Sequence, residues 1–252
     1  MEQHAKMIEK LSLNAFPALR RENVDGWILQ YSKGYTYRAN SICPFNNYDK
    51  NIKEKVAICE EKYRQKNMPT IFKITDYINH SLDSTLEQMG YSIVKRVNLM
   101  NMNLNGYVRC DYTNIEVSRE LDKEWLDAFI ELSGIQNVKD KDIHVKMIEN
   151  IEEDLICVKA IVDNKIVGCG LGVIENDVVG LFDINVNREY RNRGLGTSIC
   201  RGIINEAVDC DAKEAYLQVA EGNEKAISVY KKIGFKILYR YWFREKLNNI
   251  GI

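Results

Sequence analysis

The chain has 252 residues, 45% hydrophobic and 28% charged, a composition that fits a folded globular protein and excludes disordered, collagen-like or coiled-coil chains. Its 35 Lys and Arg against 36 Asp and Glu give a formal charge of -1, so no global field draws in nucleic acid or an anionic membrane, and neither is expected as a partner. The longest apolar run, 166–174, falls far short of the roughly 20 residues of a membrane span, and residues 1–6 open no signal core, so the expected location is cytoplasmic.

In chain order, Trp27 to Tyr31 and Tyr37 to Cys43 are β-rich and flank the turn former Gly34, which predicts a hairpin ended by Pro44. Over 51–66 the apolar Ile52, Val56, Ile58, Cys59 and Tyr63 recur at helical spacing among charges, the pattern of a surface helix. A short strand at 70–75, a helix at 81–89 stopped by Gly90, and a strand at 91–100 follow. Periodicity lapses over 101–114, where Asn, Gly, Asp and Thr collect, and the domain boundary is expected there, dividing the chain into 1–108 and 113–252. The second half predicts a strand at 115–117, then helices at 122–132, with Trp125, Ala128, Phe129 and Leu132 on one face, and at 141–151. Strands at 154–162, 165–174 and 177–186 come next, the first two joined by the tight turn Asp163-Asn164, as in an antiparallel meander. A loop leads to a helix at 196–210, a strand at 215–219, a helix at 224–233 and a last strand at 235–243. The order strand, helix, Gly-aromatic, strand occurs twice, from Ile71 through Gly90-Tyr91 to Arg96 and from Tyr216 through Gly234-Phe235 to Arg240. Duplication of a fold and ordinary βαβ grammar both account for that echo.

The seven cysteines are odd in number and widely spread, no CxxC pair occurs, and His4, His80 and His144 sit at no zinc-site spacing. Buried reduced thiols and no metal are the expectation. The glycines of Gly168-Cys169-Gly170-Leu171-Gly172 lie among strand-like residues with no helix after them, so close strand packing explains them better than a ligand.

The informative stretch runs from Leu181 to Thr197, a strand leading through Arg191-Asn192-Arg193-Gly194-Leu195-Gly196-Thr197 into a helix. The first N–H groups of a helix lack internal acceptors and carry the positive end of the peptide dipoles, so that end stabilises a phosphate. Gly194 and Gly196 permit close approach, and Arg191 and Arg193 bring positive charge. Neither the Gly-Lys-Ser/Thr ending of a P-loop nor the three-glycine dinucleotide fingerprint is present.

Arg191-x-x-Gly194-x-Gly196 after a strand resembles the pyrophosphate loop of the GNAT N-acetyltransferase superfamily, and Leu217-Gln218-Val219 with Asn223 to Phe235 resembles that family's downstream signature. The resemblance covers about 113–246 and implies a mixed α/β fold, a mostly antiparallel sheet flanked by helices whose two central parallel strands splay apart. Asp25 to Leu29 and Gly34 to Ser41 resemble the opening of bacterial tandem-GNAT proteins, so the first half would be a degenerate GNAT-like domain lacking the loop, either shaping the acceptor site or completing the core.

The resemblance further implies acetyl-CoA as cosubstrate and a small-molecule or peptide amine as acceptor. Ile184, Asn185 and Val186 would pair with the pantetheine arm, residues Asn192 to Thr197 would hold the diphosphate, and Asn223 would contact the cofactor. Tyr230 matches the tyrosine that protonates the departing thiolate, although it also belongs to an apolar stripe with Ala226, Ile227 and Ile233. Asn223 also suits a helix N-cap. Where some peptide-acetylating relatives carry a glutamate this chain has Gln218, which leaves Asp183, Glu221 or a water as general base. The alternative to an enzyme is a non-catalytic acyl-CoA-binding sensor, and a monomer or homodimer fits either.

Overall fold

The computed structural model describes residues 2–45, 51–77 and 80–246, so Met1 and 247–252, the ends of the two expected halves, lie outside the described residues. The first half forms α1 (Glu2–Asn14), β1 (Arg20–Val24), β2 (Trp27–Tyr31), β3 (Ile42–Pro44), α2 (Ile52–Arg64), β4 (Thr70–Thr75), α3 (His80–Gln88) and β5 (Ser92–Asn103). The second forms β6 (Ile115–Ser118), α4 (Lys123–Leu132), α5 (Val138–Glu149), β7 (Asp154–Val162), β8 (Lys165–Glu175), β9 (Val178–Val186), α6 (Leu195–Asp209), β10 (Glu214–Ala220), α7 (Glu224–Ile233) and β11 (Lys236–Lys246). No described helix is long and apolar enough to cross a membrane.

Three elements of the first half differ from the sequence reading. Helix α1 and strand β1 were not expected, and Arg38–Asn40 is a 3-10 turn inside what was read as strand. Helix α1 is polar in composition, yet it buries Ala5, Ile8 and Leu11 together with Glu9. The Glu9 carboxylate is taken up in the core by Lys73 Nζ at 2.7 Å and by the Tyr239 hydroxyl. Burying a charge this way is tolerable only when it is paired and hydrogen-bonded.

All eleven strands join one sheet in the order β1-β2-β3-β4-β11-β5-β10-β9-β8-β7-β6. The halves exchange strands: β5 of the first half lies between β10 and β11, and β11 of the second lies between β4 and β5. The turn Asp163-Asn164 joins β7 to β8 with both residues at positive φ, 50° and 58°, as a type I′ hairpin requires. Alternate residues of β10 part between the faces, Tyr216 joining the core under α1, α4 and α5, and Ala215, Leu217 and Val219 joining the core under α6 and α7. A third core forms where α2 and α3 cover Phe72, Ile74 and Leu29.

The glycine run of β8 sets the height of α6. A Cβ on Gly170 would collide with Ile199 Cγ2 and approach Ile184 Cδ1 to 2.8 Å, and one on Gly172 would meet Ile203 Cγ2 at 2.6 Å. These glycines let α6 lie close on the sheet, which fixes where its first turn points. All seven cysteines are free; Cys43, Cys59, Cys157, Cys169 and Cys200 are buried, whereas Cys110 and Cys210 are only partly so. Burial pushes the thiols of Cys157, Cys169 and Cys200 up to about 12, which leaves them protonated and unreactive at neutral pH.

Gly170→Ala is expected to lower stability in urea by about 1–3 kcal/mol, the range for overpacking a filled interior; an unchanged midpoint would show that α6 can rise freely. A protease site inserted between Asn105 and Gly106 is expected to give two fragments that co-elute in gel filtration after cutting and part only in denaturant. Separation without denaturant would contradict the strand exchange.

Candidate active site

Strands β9 and β10 run parallel, but their pairing covers only Glu214–Val178 to Leu217–Leu181. Beyond it, Phe182 to Val186 keep β8 as their partner and Gln218 to Ala220 keep β5, so the facing edges of the two strands have no partner across the gap. The opening is marked by a bulge. Cys169 pairs with Asn185 and Leu171 with Phe182, so two steps on β8 face three on β9. The extra residue bends the strand. Asp183 takes it up with φ 51°, a left-handed conformation that Asp tolerates better than most residues, and Asn185 Nδ2 braces it by donating to the Asp183 carbonyl at 3.0 Å.

A cavity of about 240 Å³ occupies the gap, lined among others by Arg38, Phe182, Asp183, Ile184, Asn185, Gln218, Asn223 and Tyr230. It is smaller than the roughly 300–1,000 Å³ of pockets that enclose a drug-sized ligand. It therefore has room for an extended arm and a small group, with any larger portion outside. The structure thus brings together Ile184 and Asn185 from β9 with Asn223 and Tyr230 from the cap and body of α7.

Val186, Arg191, Asn192, Arg193, Gly194, Leu195, Gly196 and Thr197 are not in that lining; they form the end of β9, the loop after it and the first turn of α6. Gly194 holds the N-cap position with φ 82° and offers no side chain to cap the helix. Ser198 N donates back to the Gly194 carbonyl, as helix geometry requires, so the N–H groups of Leu195, Gly196 and Thr197 precede the first internal bond. Arg191 Nε donates to the Val186 carbonyl at 2.9 Å, and Arg193 donates to the Glu189 carbonyl at 3.2 Å while lying over the Tyr190 ring. Both guanidinium groups therefore brace the loop while carrying their charge beside it.

Asn223 caps α7, its Oδ1 accepting from Ala226 N at 3.2 Å. Tyr230, two turns on, packs its ring edge against Phe235, and burial pushes its phenol well above the ordinary tyrosine range. It is a proton donor at neutral pH. Gln218 Oε1 accepts from the Tyr241 hydroxyl at 2.5 Å, so this amide is committed to the core. Glu221 lies in a separate surface depression with Ile93, Val94, Lys95 and Arg96.

Three groups at the site were not identified as such in the sequence. His144 on α5 is 3% exposed and stacks on Phe129 at 4.4 Å. Its Nε2 lies 3.0 Å from Asp183 Oδ2, and its Nδ1 lies 2.7 Å from the Tyr35 hydroxyl. Burial, with the Asp183 charge second, pushes the Tyr35 phenol up, so it donates to Nδ1 and leaves Nε2–H to donate to Asp183. The signal was the buried spacing of His144 with Met147 and Ile148, a polar residue on an apolar stripe. Arg38, the third, reaches the cavity from the first half of the chain.

Comparison with known proteins agrees with this geometry. Residues 4–243 match the family described as "Probable histone acetyltransferase Rv0428c C-terminal". The N-acetyltransferase YobR of Bacillus subtilis is 25% identical over 245 residues, covering 96% of this chain and 98% of its own. A thialysine N-epsilon-acetyltransferase of Sus scrofa is 36% identical over 58 residues, 23% of this chain and 34% of that one. Among solved structures, a GCN5-related N-acetyltransferase from Kribbella flavida superposes with a TM-score of 0.75 at 13% identity, covering 98% and 97% of the two chains. A tandem GNAT protein from the clavulanic acid biosynthesis pathway gives 0.69 at 12% identity, over 96% and 86%. The match of the family model across nearly the whole length, with the same overall fold in solved structures, makes this chain a member of the GNAT N-acetyltransferase superfamily, in the Rv0428c C-terminal family.

Proposed function

We propose that the protein transfers an acetyl group from acetyl-CoA to a primary amine of a small molecule or peptide, by direct attack within a ternary complex. The observation that carries this reading is the unpaired gap between β9 and β10 lying next to the uncapped first turn of α6. One feature suits an extended amide-bearing arm and the other a diphosphate. In this reading residues 113–252 hold acetyl-CoA. The main chain of Ile184, Asn185 and Val186 meets the arm, Arg191 to Thr197 hold the diphosphate, and Asn223 lies against the cofactor. Residues 1–108 form a GNAT-like half without that loop, and they supply Tyr35 and Arg38.

Acetyl-CoA contributes an activated thioester, whose carbonyl carbon gains the C–N bond as its C–S bond breaks. Tyr230 lines the gap and gives its phenolic proton to the leaving sulfur. Asp183 takes the proton lost by the amine nitrogen. Of the acidic groups considered, it is the one that lines the gap, since Gln218 is an amide and Glu221 lies elsewhere. His144 and Tyr35 hold the carboxylate in place by a relay of hydrogen bonds. A proton passed from Asp183 to solvent and one regained by Tyr230 close the cycle.

Binding and turnover are both measurable. Titration calorimetry with acetyl-CoA should give heat, and free thiol should appear only when an amine is added; no heat from well-folded protein discards this reading. Tyr230→Phe should lower kcat by about a hundredfold to ten-thousandfold, the usual contribution of a positioned acid. Asp183→Asn keeps a residue suited to positive φ and should lower kcat on that same scale while leaving acetyl-CoA binding intact. Normal turnover in either variant removes that residue from the mechanism. Tyr35→Phe leaves His144 Nδ1 without its donor and should cost about 1–3 kcal/mol in chemical denaturation; unchanged stability would mean the relay is not formed.

A further inference from the structure

The acceptor end of the gap contains a cation with nothing to neutralise it. Arg38 lines the same cavity as Asp183, yet no carboxylate among the described residues forms an ion pair with it. The acidic groups of the surrounding elements are committed elsewhere. Glu9 is held by Lys73 and Tyr239, Asp183 by His144, and Glu245 accepts from the Tyr37 hydroxyl at 3.2 Å. One neighbouring charge has the same sign: desolvation, with the Arg38 charge second, holds the Lys95 ammonium below its usual value. A positive region without its own anion is ready for one from outside.

The position of Arg38 is fixed. Its carbonyl accepts from Gln30 Nε2 at 2.7 Å, at the start of the 3-10 turn Arg38–Asn40. Asn40, 1% exposed, ties that turn to the preceding loop, accepting from Ser32 N at 2.7 Å and Gly34 N at 3.0 Å and donating to the Thr36 carbonyl at 2.9 Å. The guanidinium lies over the Phe16 ring, 4.2 Å from its centroid. One face is thereby covered, and the edge N–H groups remain, in the fork geometry that matches an oxyanion with two bonds. Behind Arg38, toward Ser12, Cys43 and Lys73, there is only a void of about 10 Å³, too small for ligand atoms, so the cavity ends here. A ligand reaching this end has to be short.

We propose that the acceptor is a small primary amine bearing an oxyanion, a carboxylate or a phosphate, which Arg38 binds while Asp183 receives the amine. This rests on the acetyltransferase reading and narrows it to a substrate class. A substrate carrying both an amine and an oxyanion matches a cavity lined by both Asp183 and Arg38. An uncharged amine or a diamine would leave the guanidinium desolvated against a ligand that cannot satisfy it.

The test compares matched acceptors: γ-aminobutyrate with γ-aminobutyramide, β-alanine with β-alaninamide, and phosphoethanolamine with ethanolamine. The wild-type protein should favour the oxyanion member by roughly tenfold to a hundredfold in kcat/KM, mainly through KM, as expected for hydrogen bonds to a charged group. The carboxylate and phosphate pairs show which oxyanion is preferred. Arg38→Gln should bring the ratio toward one, Arg38→Lys should keep part of it, and Arg38→Glu should favour a diamine. Equal kcat/KM within every pair for the wild-type protein overturns the proposal, and that arm needs no variant to fold. An equal loss on both members in Arg38→Gln overturns it too, since that would place Arg38 in the reaction and not in acceptor choice. If no amine is acetylated, the acetyl-transfer reading fails separately, and the anion site is judged by binding alone. Thermal stabilisation by γ-aminobutyrate but not by its amide, abolished in Arg38→Gln, then supports the site, and equal shifts reject it.

Discussion

The architecture depends on a place where hydrogen bonding stops. Strands β9 and β10 pair through Leu181 and Leu217 and then part, although a sheet interior is where unpaired main-chain groups cost most. Nothing at that point is left to chance. The left-handed Asp183 bends β9 away, and β5 holds β10 from its other side along all of Glu214–Ala220. The glycines of β8 bring α6 down so that its uncapped first turn lies beyond the end of β9. Each of these features keeps an opening from closing.

The same constraint explains why the two halves cannot be read as independent bodies side by side. The opening needs a stiff wall on the β10 side, and that wall is β5, supplied by the first half and itself flanked by β11. The first half also supplies Arg38 to the lining of the gap, from a loop whose Tyr35 packs with α1 and Phe16 in the neighbouring core. The first half thus helps shape the cavity.

Much of this was legible in the sequence, and the residues that were not have physical reasons. The meander turn was visible in Asp163-Asn164, because it is a local requirement of the backbone, whereas the glycines at 168, 170 and 172 read as close strand packing and it is α6 that Gly170 and Gly172 admit. That Gly194 opens a helix was visible too, since it is the residue before the first turn. Helix α1 was missed because Glu9 reads as a solvated residue until Lys73, 64 positions away, turns it into a core residue. The region around Arg38 was read as strand since Tyr37 to Cys43 is β-rich, whereas its turn is imposed by the hydrogen bonds of Asn40. Tyr35, His144 and Asp183 form their relay across 109 and 39 positions, and periodicity carries no information at such distances. The exchange of β5 and β11 is invisible for that reason too, since each strand keeps the same alternation whichever neighbour it has.

That exchange sets an order on the ribosome. β5 leaves the exit tunnel long before β10 and β11 exist, and β4 lacks its partner β11 until some 160 residues after it have been made, about the separation of Thr75 and Lys236. The early-made segment must wait with a 12-residue strand unmatched on both edges, the kind of exposed edge that invites association with other chains. Glu9 and Tyr239, whose contact lies in the buried core, are 230 positions apart and meet only once the later one has been made, so the acidic side chain stays in water until then. The protein is thus expected to acquire its native shape in one late step, with chaperone capture of the waiting strand as the natural safeguard.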